Sequence, residues 1–166
     1  MAEGKKNRNI LEAGLSGASR HRFVLLCAQW NTEITAKLAE GARSVLQRYG
    51  VQKENIISAE VPGSFELPLG AQWMIEQHKP DAVICLGCVI KGETPHFEYI
   101  AHAASHGILR VGLDKNIPVV FGILTTHTLA QAKARSGGKK GHKGEEAALT
   151  ALKMLALRST FPAESR

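Results

Sequence analysis

Apolar and polar positions follow two rhythms along this chain, and the rhythms take turns. Phe23, Val24, Leu25, Leu26, Cys27 and Ala28 form an unbroken apolar run, the mark of a parallel strand buried on both faces. A helical spacing follows, with Ile34, Leu38, Ala42, Val45 and Tyr49 on one side and Lys37, Glu40, Arg43 and Gln47 on the other. Asn31 or Thr32 is its expected N-cap, and Gly50 stands where a C-terminal glycine belongs. Residues 56–61 read as a second strand, closed by Pro62, Gly63 and Ser64. Pro68 suits the first turn of a helix that passes through Trp73, Met74 and Ile75 and stops at Lys79-Pro80.

The third apolar run spans residues 82–86 and is expected to break at Gly87 into a polar turn. From Pro95 the spacing is helical again, with Phe97, Ile100, Ala101, Ala104, Ile108 and Val111 on one side and Asn116 at the end. Residues 118–124 form a fourth strand, with Pro118 at its tolerated first position. Thr125, Thr126 and Thr128 offer caps for a short helix through Leu129, Ala132 and Arg135. Residues 136–144 read as a glycine-rich basic linker, and a last helix starts near Glu145 and buries Ala148, Leu152 and Leu155. Strict alternation of strands and helices predicts an α/β domain with a small parallel sheet of about four strands and helices on both faces. The expected division is an arm at 1–21, one domain at 22–158 and a loose tail at 159–166. The arm lacks periodicity; Ile10 and Leu11 are its only candidates for a brief edge strand.

Composition narrows the class. The 166 residues suffice for one domain with a real core, and no apolar run approaches the roughly 18 residues a membrane span needs. No secretory h-region is seen near the N-terminus, and Glu3 and Glu12 argue against a transit peptide, so a cytoplasmic protein is expected. Three cysteines do not build a disulfide framework. The net charge of +6 favours an anionic partner, and its excess sits in the arm and in residues 133–143. Those basic residues are not interleaved with aromatics, which ranks nucleic acid last among the anions.

Candidate chemistry gathers where strands end, since ligands of open α/β sheets bind beyond the C-terminal strand ends. The loop after the third run holds Lys91, Glu93, Thr94 and His96. His96 falls in the first turn of a helix, where the dipole disfavours the imidazolium and leaves a neutral base for proton transfer. The bland alternative is a surface histidine, one of seven. The N–H groups of Glu93 and Thr94 suit a phosphate or, equally, simple capping. Trp30 and the segment Ser64-Phe65-Glu66 follow the first two strands, where aromatic rings either stack on a flat heterocycle or pack ordinarily. Cys85 and Cys88 are three apart, so in a strand they face opposite ways, and no second pair completes a zinc site. Arg135, Lys139, Lys140 and Lys143 make either an oxyanion site or a solvated linker, with Glu145 and Glu146 placed to pair with Arg135.

Taken together, five segments resemble one family. They are Gln29-Trp30-Asn31; Val61-Pro62-Gly63-Ser64-Phe65-Glu66-Leu67-Pro68; the stretch from Leu86 through His96 to Phe97; Phe121-Gly122-Ile123-Leu124-Thr125-Thr126; and residues 135–144. Their order and spacing are similar to those of the 6,7-dimethyl-8-ribityllumazine synthases, from about Arg22 to Leu157. The resemblance implies a flavodoxin-like, three-layer αβα sandwich and an enzyme of riboflavin biosynthesis. It implies condensation of 5-amino-6-(D-ribitylamino)uracil with 3,4-dihydroxy-2-butanone 4-phosphate, with release of phosphate and water and without metal or organic cofactor. An imine forms first, phosphate leaves, and the second amine closes the ring.

By the same resemblance, Trp30, Ser64, Phe65, Glu66, Cys88, Val89 and Ile90 hold the aminouracil, with Phe121 from an adjacent subunit. Glu93 and Thr94 hold the phosphate, with Arg135 again from the neighbour. His96 transfers protons, and Lys143 and Glu146 form a supporting charged pair. The implied partner is the protein itself, as pentamers joined into an icosahedral shell, without nucleic acid or membrane. Trp30 stands where phenylalanine is common in the family, and His142 where asparagine is usual. The alternative is a protein of the same fold that binds flavin or lumazine without turnover, or a purely structural cage.

Overall fold

The computed structural model describes residue 15 and residues 17–161. Its main sheet has four parallel strands, β1 (Phe23–Ala28), β2 (Ile56–Val61), β3 (Ala82–Ile90) and β4 (Val119–Thr126), in the order β2-β1-β3-β4. The two central strands, β1 and β3, are the continuous apolar runs, as burial on both faces demands. Edge strand β2 is buried only at its ends, Ile56 and Val61, and alternates half-buried and exposed positions between them.

Among the described residues five α-helices cover the sheet: α1 (Thr32–Arg48), α2 (Leu67–His78), α3 (His96–Lys115), α4 (Leu129–Arg135) and α5 (Lys143–Arg158). On one face Phe23, Leu25, Ile84 and Leu86 pack against Ile34, Leu38 and Leu46 of α1 and Ala148 and Leu152 of α5. On the other, Val24, Leu26, Val83 and Cys85 meet Leu67 and Ala71 of α2 and Ala104 and Ile108 of α3. Successive strand residues thus feed opposite cores, which gives the expected three-layer αβα arrangement. Cys85 and Cys88 lie in opposite cores, as their three-residue spacing requires.

Several local expectations need correction. The third strand does not break at Gly87 but pairs with β4 as far as Ile90↔Thr126. Gly87 is there because a Cβ would stand 2.5 Å from the Ser64 hydroxyl oxygen and 3.3 Å from Ile123 and Leu67 side-chain atoms. Neither Asn31 nor Thr32 caps α1 with its side chain: Asn31 is left-handed (φ 60°) and the Thr32 hydroxyl donates to the Gln29 carbonyl at 2.6 Å. Gly50, at φ +89°, does follow the helix end, and Thr128 does cap α4 by accepting from the Gln131 N–H.

The basic segment is not an irregular linker. It folds into a small antiparallel hairpin, β5 (Ser136–Gly138) and β6 (Gly141–His142), joined by a turn at Lys139 and Lys140, with Gly137 at φ +102° where the register shifts and Gly141 at φ +92°. Helix α5 consequently begins at Lys143 rather than near Glu145. At the N-terminus, Leu15 and Ala18 are already packed in the core beside α1. Ile10 and Leu11 lie outside the described residues.

Candidate active site

The loops that leave β1, β2 and β3 meet above the C-terminal strand ends and enclose a cleft of about 460 Å³. From the first loop come Trp30 and Asn31, from the second Gly63, Ser64, Phe65 and Glu66, and from the last residues of β3 itself Cys88, Val89 and Ile90. Thr94, His96, Phe97 and Ile100 complete the wall at the start of α3.

Each loop is fixed by backbone chemistry. The Gln29 N–H donates to the Val61 carbonyl at 2.9 Å, continuing the β1–β2 ladder past the strand. Asn31 adopts the left-handed conformation that Asn tolerates better than most residues, and its amide nitrogen donates to the Cys88 carbonyl at 2.9 Å. That bond ties the Trp30 loop to the end of β3. Gly63 lets the second loop close on the first: a Cβ there would lie 3.3 Å from the Trp30 ring and 3.1 Å from a Glu66 carboxylate oxygen. Ser64 is buried over Gly87, whereas the Trp30 and Phe65 rings are largely exposed, at 74% and 57%. The result is an open slot with two aromatic walls and a few polar groups, a shape suited to a planar, polar-edged ring.

At the other end of the cleft, His96 is the first residue of α3 and is exposed. No side chain caps this helix start, and among the described residues the N–H groups of Gly92, Glu93 and Thr94 have no hydrogen-bond partner. Unpartnered N–H groups before a helix favour an anion. The Lys91 N–H donates to the Thr126 carbonyl at 2.8 Å and anchors this loop to the next strand. Burial pushes the Cys88 thiol up to about 11, so it offers the cleft a neutral, weakly polar wall and not a nucleophile. Burial also raises Cys27 to about 11, with the Glu60 charge adding to it, and raises Cys85 further still. Among the described residues no group of three or more His, Cys, Asp or Glu side chains is placed to hold a metal ion.

The remaining candidates are elsewhere. Phe121, on edge strand β4, lines a second and larger cavity of about 1190 Å³ together with Lys143 and Glu146. Lys143 and Glu146 form an ion pair at 3.2 Å, one turn apart on α5. Arg135 is exposed at the end of α4 and touches neither cavity. The expected pairing of Glu145 and Glu146 with Arg135 is not formed, because the hairpin intervenes and Glu146 is taken by Lys143 on its own helix. Glu93 sits beside the first cleft, between its wall residues Gly92 and Thr94, without lining it. Asn31, Gly63, Phe97 and Ile100 belong to the wall and were not singled out by sequence chemistry. Asn31 and Gly63 sit inside the motif segments, and Phe97 and Ile100 follow His96 at one- and four-residue steps on α3.

Known proteins agree in one direction. The family model described as 6,7-dimethyl-8-ribityllumazine synthase matches residues 20–159. A protein of that name from Cytophaga hutchinsonii is 53% identical over 156 residues, covering 94% of this chain and 98% of the relative. Relatives of the same name from Parabacteroides distasonis and Bacteroides fragilis are 49% and 46% identical over 138 and 134 residues. These alignments cover 83% and 81% of this chain, and 86% and 94% of the respective relatives.

Proposed function

The chain belongs to the 6,7-dimethyl-8-ribityllumazine synthase family, and we propose how its two cavities share that reaction. The enzyme, a transferase of riboflavin biosynthesis, joins 5-amino-6-(D-ribitylamino)uracil to 3,4-dihydroxy-2-butanone 4-phosphate. The observation that carries the site assignment is the meeting of Trp30, residues 64–66, residues 88–90, Thr94 and His96 in one cleft. Trp30 and Phe65 sandwich the pyrimidine, Ser64, Glu66 and residues 88–90 hold its edges and ribityl chain, and the N–H groups of Glu93 and Thr94 take the phosphate.

The chemistry balances with proton transfers alone. The 5-amino group adds to the butanone carbonyl and loses water, giving an imine. Removal of the proton on the hydroxyl-bearing carbon expels phosphate from the next carbon and leaves an enol. Its ketone tautomer is attacked by the ribitylamino nitrogen, and loss of a second water closes the ring. His96 lies between the heterocycle walls and the anion loop, where it takes and returns these protons. Holding two substrates in register supplies much of the acceleration, since effective molarities of well-oriented reactants reach roughly 10⁵ M and above.

The second half of the site comes from a neighbour. Phe121 and Arg135 are exposed on surfaces other than the first cleft, so a homo-oligomer that presents them to the next subunit's cleft completes it. Lys143 and Glu146 border the same second surface as Phe121 and support it as a charged pair. Phe65, Leu69 and Trp73 form an exposed apolar stripe at four-residue steps, and Leu109, Leu113, Met154 and Leu157 expose another beside the second cavity. Two such faces suit a ring in which one face meets the other. The assembly is a pentamer, and pentamers join into an icosahedral shell. The catalytic unit is the domain at 22–158, and three free cysteines support a reducing, cytoplasmic compartment.

The test is turnover. Purified protein given both substrates generates the lumazine chromophore and releases inorganic phosphate in equal amounts. Tight binding of the aminouracil with no product would instead indicate a non-catalytic binder.

A further inference from the structure

The hairpin between α4 and α5 carries Arg135 at its entry and Lys143 at its exit, and one ring holds it down. We propose that His142 is a positioning residue for the phosphate end of the substrate, acting through Arg135; this rests on the reading of Arg135 as the neighbour-supplied phosphate clamp. The His142 backbone pairs with Ser136, the residue that follows Arg135. Its ring lies flat on α1 at Gly41. A Cβ on Gly41 would stand 2.7 Å from the ring Nδ1 and closer still to Cε1 and Nε2, so only glycine leaves the slot open. On its other side, a Cβ on Gly137 would be 3.3 Å from the ring Cδ2. The ring is a wedge between helix and hairpin.

Three further contacts extend the lock. Gly144 packs on the Leu38 carbonyl of α1, where a Cβ would overlap it. The Lys140 N–H donates to the Ala134 carbonyl at 2.8 Å, and the Ser136 hydroxyl donates to the Lys133 carbonyl at 3.4 Å. A continuous path therefore runs from α1 through His142 and Ser136 to the backbone of Arg135. The His142 Nδ1 is buried without a hydrogen-bond partner, alone in this among the described side-chain nitrogens and oxygens. A buried orphan costs stability and returns nothing as a hydrogen bond, so the return is the shape of the ring.

Kinetics of the assembled enzyme with each substrate varied in turn decide the matter. His142→Ala and Gly41→Ala each raise KM for the butanone phosphate on the order of tenfold, the scale of a small misplacement of a binding group. KM for the aminouracil stays at its parent value. The double variant is no worse than His142→Ala alone, because the added methyl has no ring to displace. His142→Asn, planar and small enough for the slot, brings KM back towards the parent, and it carries the test if His142→Ala does not assemble. Equal rises in both KM values, or none in either, overturn the proposal. Arg135→Ala, measured alongside, separates the two readings. If it leaves the phosphate KM unchanged, the clamp falls and the wedge with it. If it raises that KM while His142→Ala does not, only the wedge falls.

Discussion

Among the described residues no protein group hydrogen-bonds to the His96 ring, so in the proposed reaction its orientation for proton transfer falls to the substrates. His96→Ala is therefore expected to lower turnover by about 10²- to 10⁴-fold, while a calorimetric titration with the aminouracil shows little change in affinity. A comparable loss of affinity would make His96 a binding group instead. Gly87 is a quieter requirement. Alanine there meets the Ser64 hydroxyl oxygen at 2.5 Å within a packed sheet, and overpacking of this kind costs about 1–3 kcal/mol. Urea unfolding of Gly87→Ala reads that loss directly. The three thiols are neutral at physiological pH, with Cys27 and Cys88 raised to about 11. Alkylation at pH 8 is accordingly slow in the native protein and complete once it is denatured.

At the scale of elements, α2 and α3 are stapled by Lys115 and Glu76, whose charged atoms lie 2.7 Å apart. The hydrogen bond and charge of Lys115 hold the Glu76 carboxyl below its ordinary 4.5. A carboxyl whose folded value is lowered contributes stability fully above the unfolded value and loses it as pH falls through the folded one. Glu33, lowered by Lys133 across α1 and α4, behaves alike. Lys115→Met is thus expected to be less stable than the parent at pH 7 and to converge on it as pH falls from the unfolded value through the lowered folded one, as followed by urea midpoints. A gap that persists at low pH would assign the difference to packing of the lysine stem. The helices and central strands were legible in the sequence because burial on one or two faces imposes a period. The extent of β3 was not, because Gly87 is a breaker by propensity and a necessity only once Ser64 is seen above it. The hairpin was hidden for the same reason: Gly137 and Gly141 signal freedom in a sequence and are fixed positive-φ positions beside the turn in the fold.

For the whole molecule, the question is which residues share a site. Mixing His96→Ala with Arg135→Ala subunits should restore activity to about a quarter of the parental sites at equal proportions, since a head-to-tail contact can pair an intact His96 with an intact Arg135. No recovery from refolded mixtures would put both residues in one chain's site. Light scattering is expected to give the mass of five chains or a larger multiple, and the mass of a single chain would remove the shared-site reading.

The sequence by itself determined the alternation of strands and helices, the two-faced burial of β1 and β3, and the motif segments that identify the family. These are local or periodic properties, and each residue carries its share of them alone. The tertiary structure decided what belongs with what. It drew three loops separated by some thirty residues each into one cleft. It set Phe121, Lys143 and Glu146 on a different cavity and left Arg135 facing outward. It also seated His142 on Gly41, a pairing no spacing rule foretells. Contact across long stretches of chain depends on how the layers pack, and packing exists only after every element is in place.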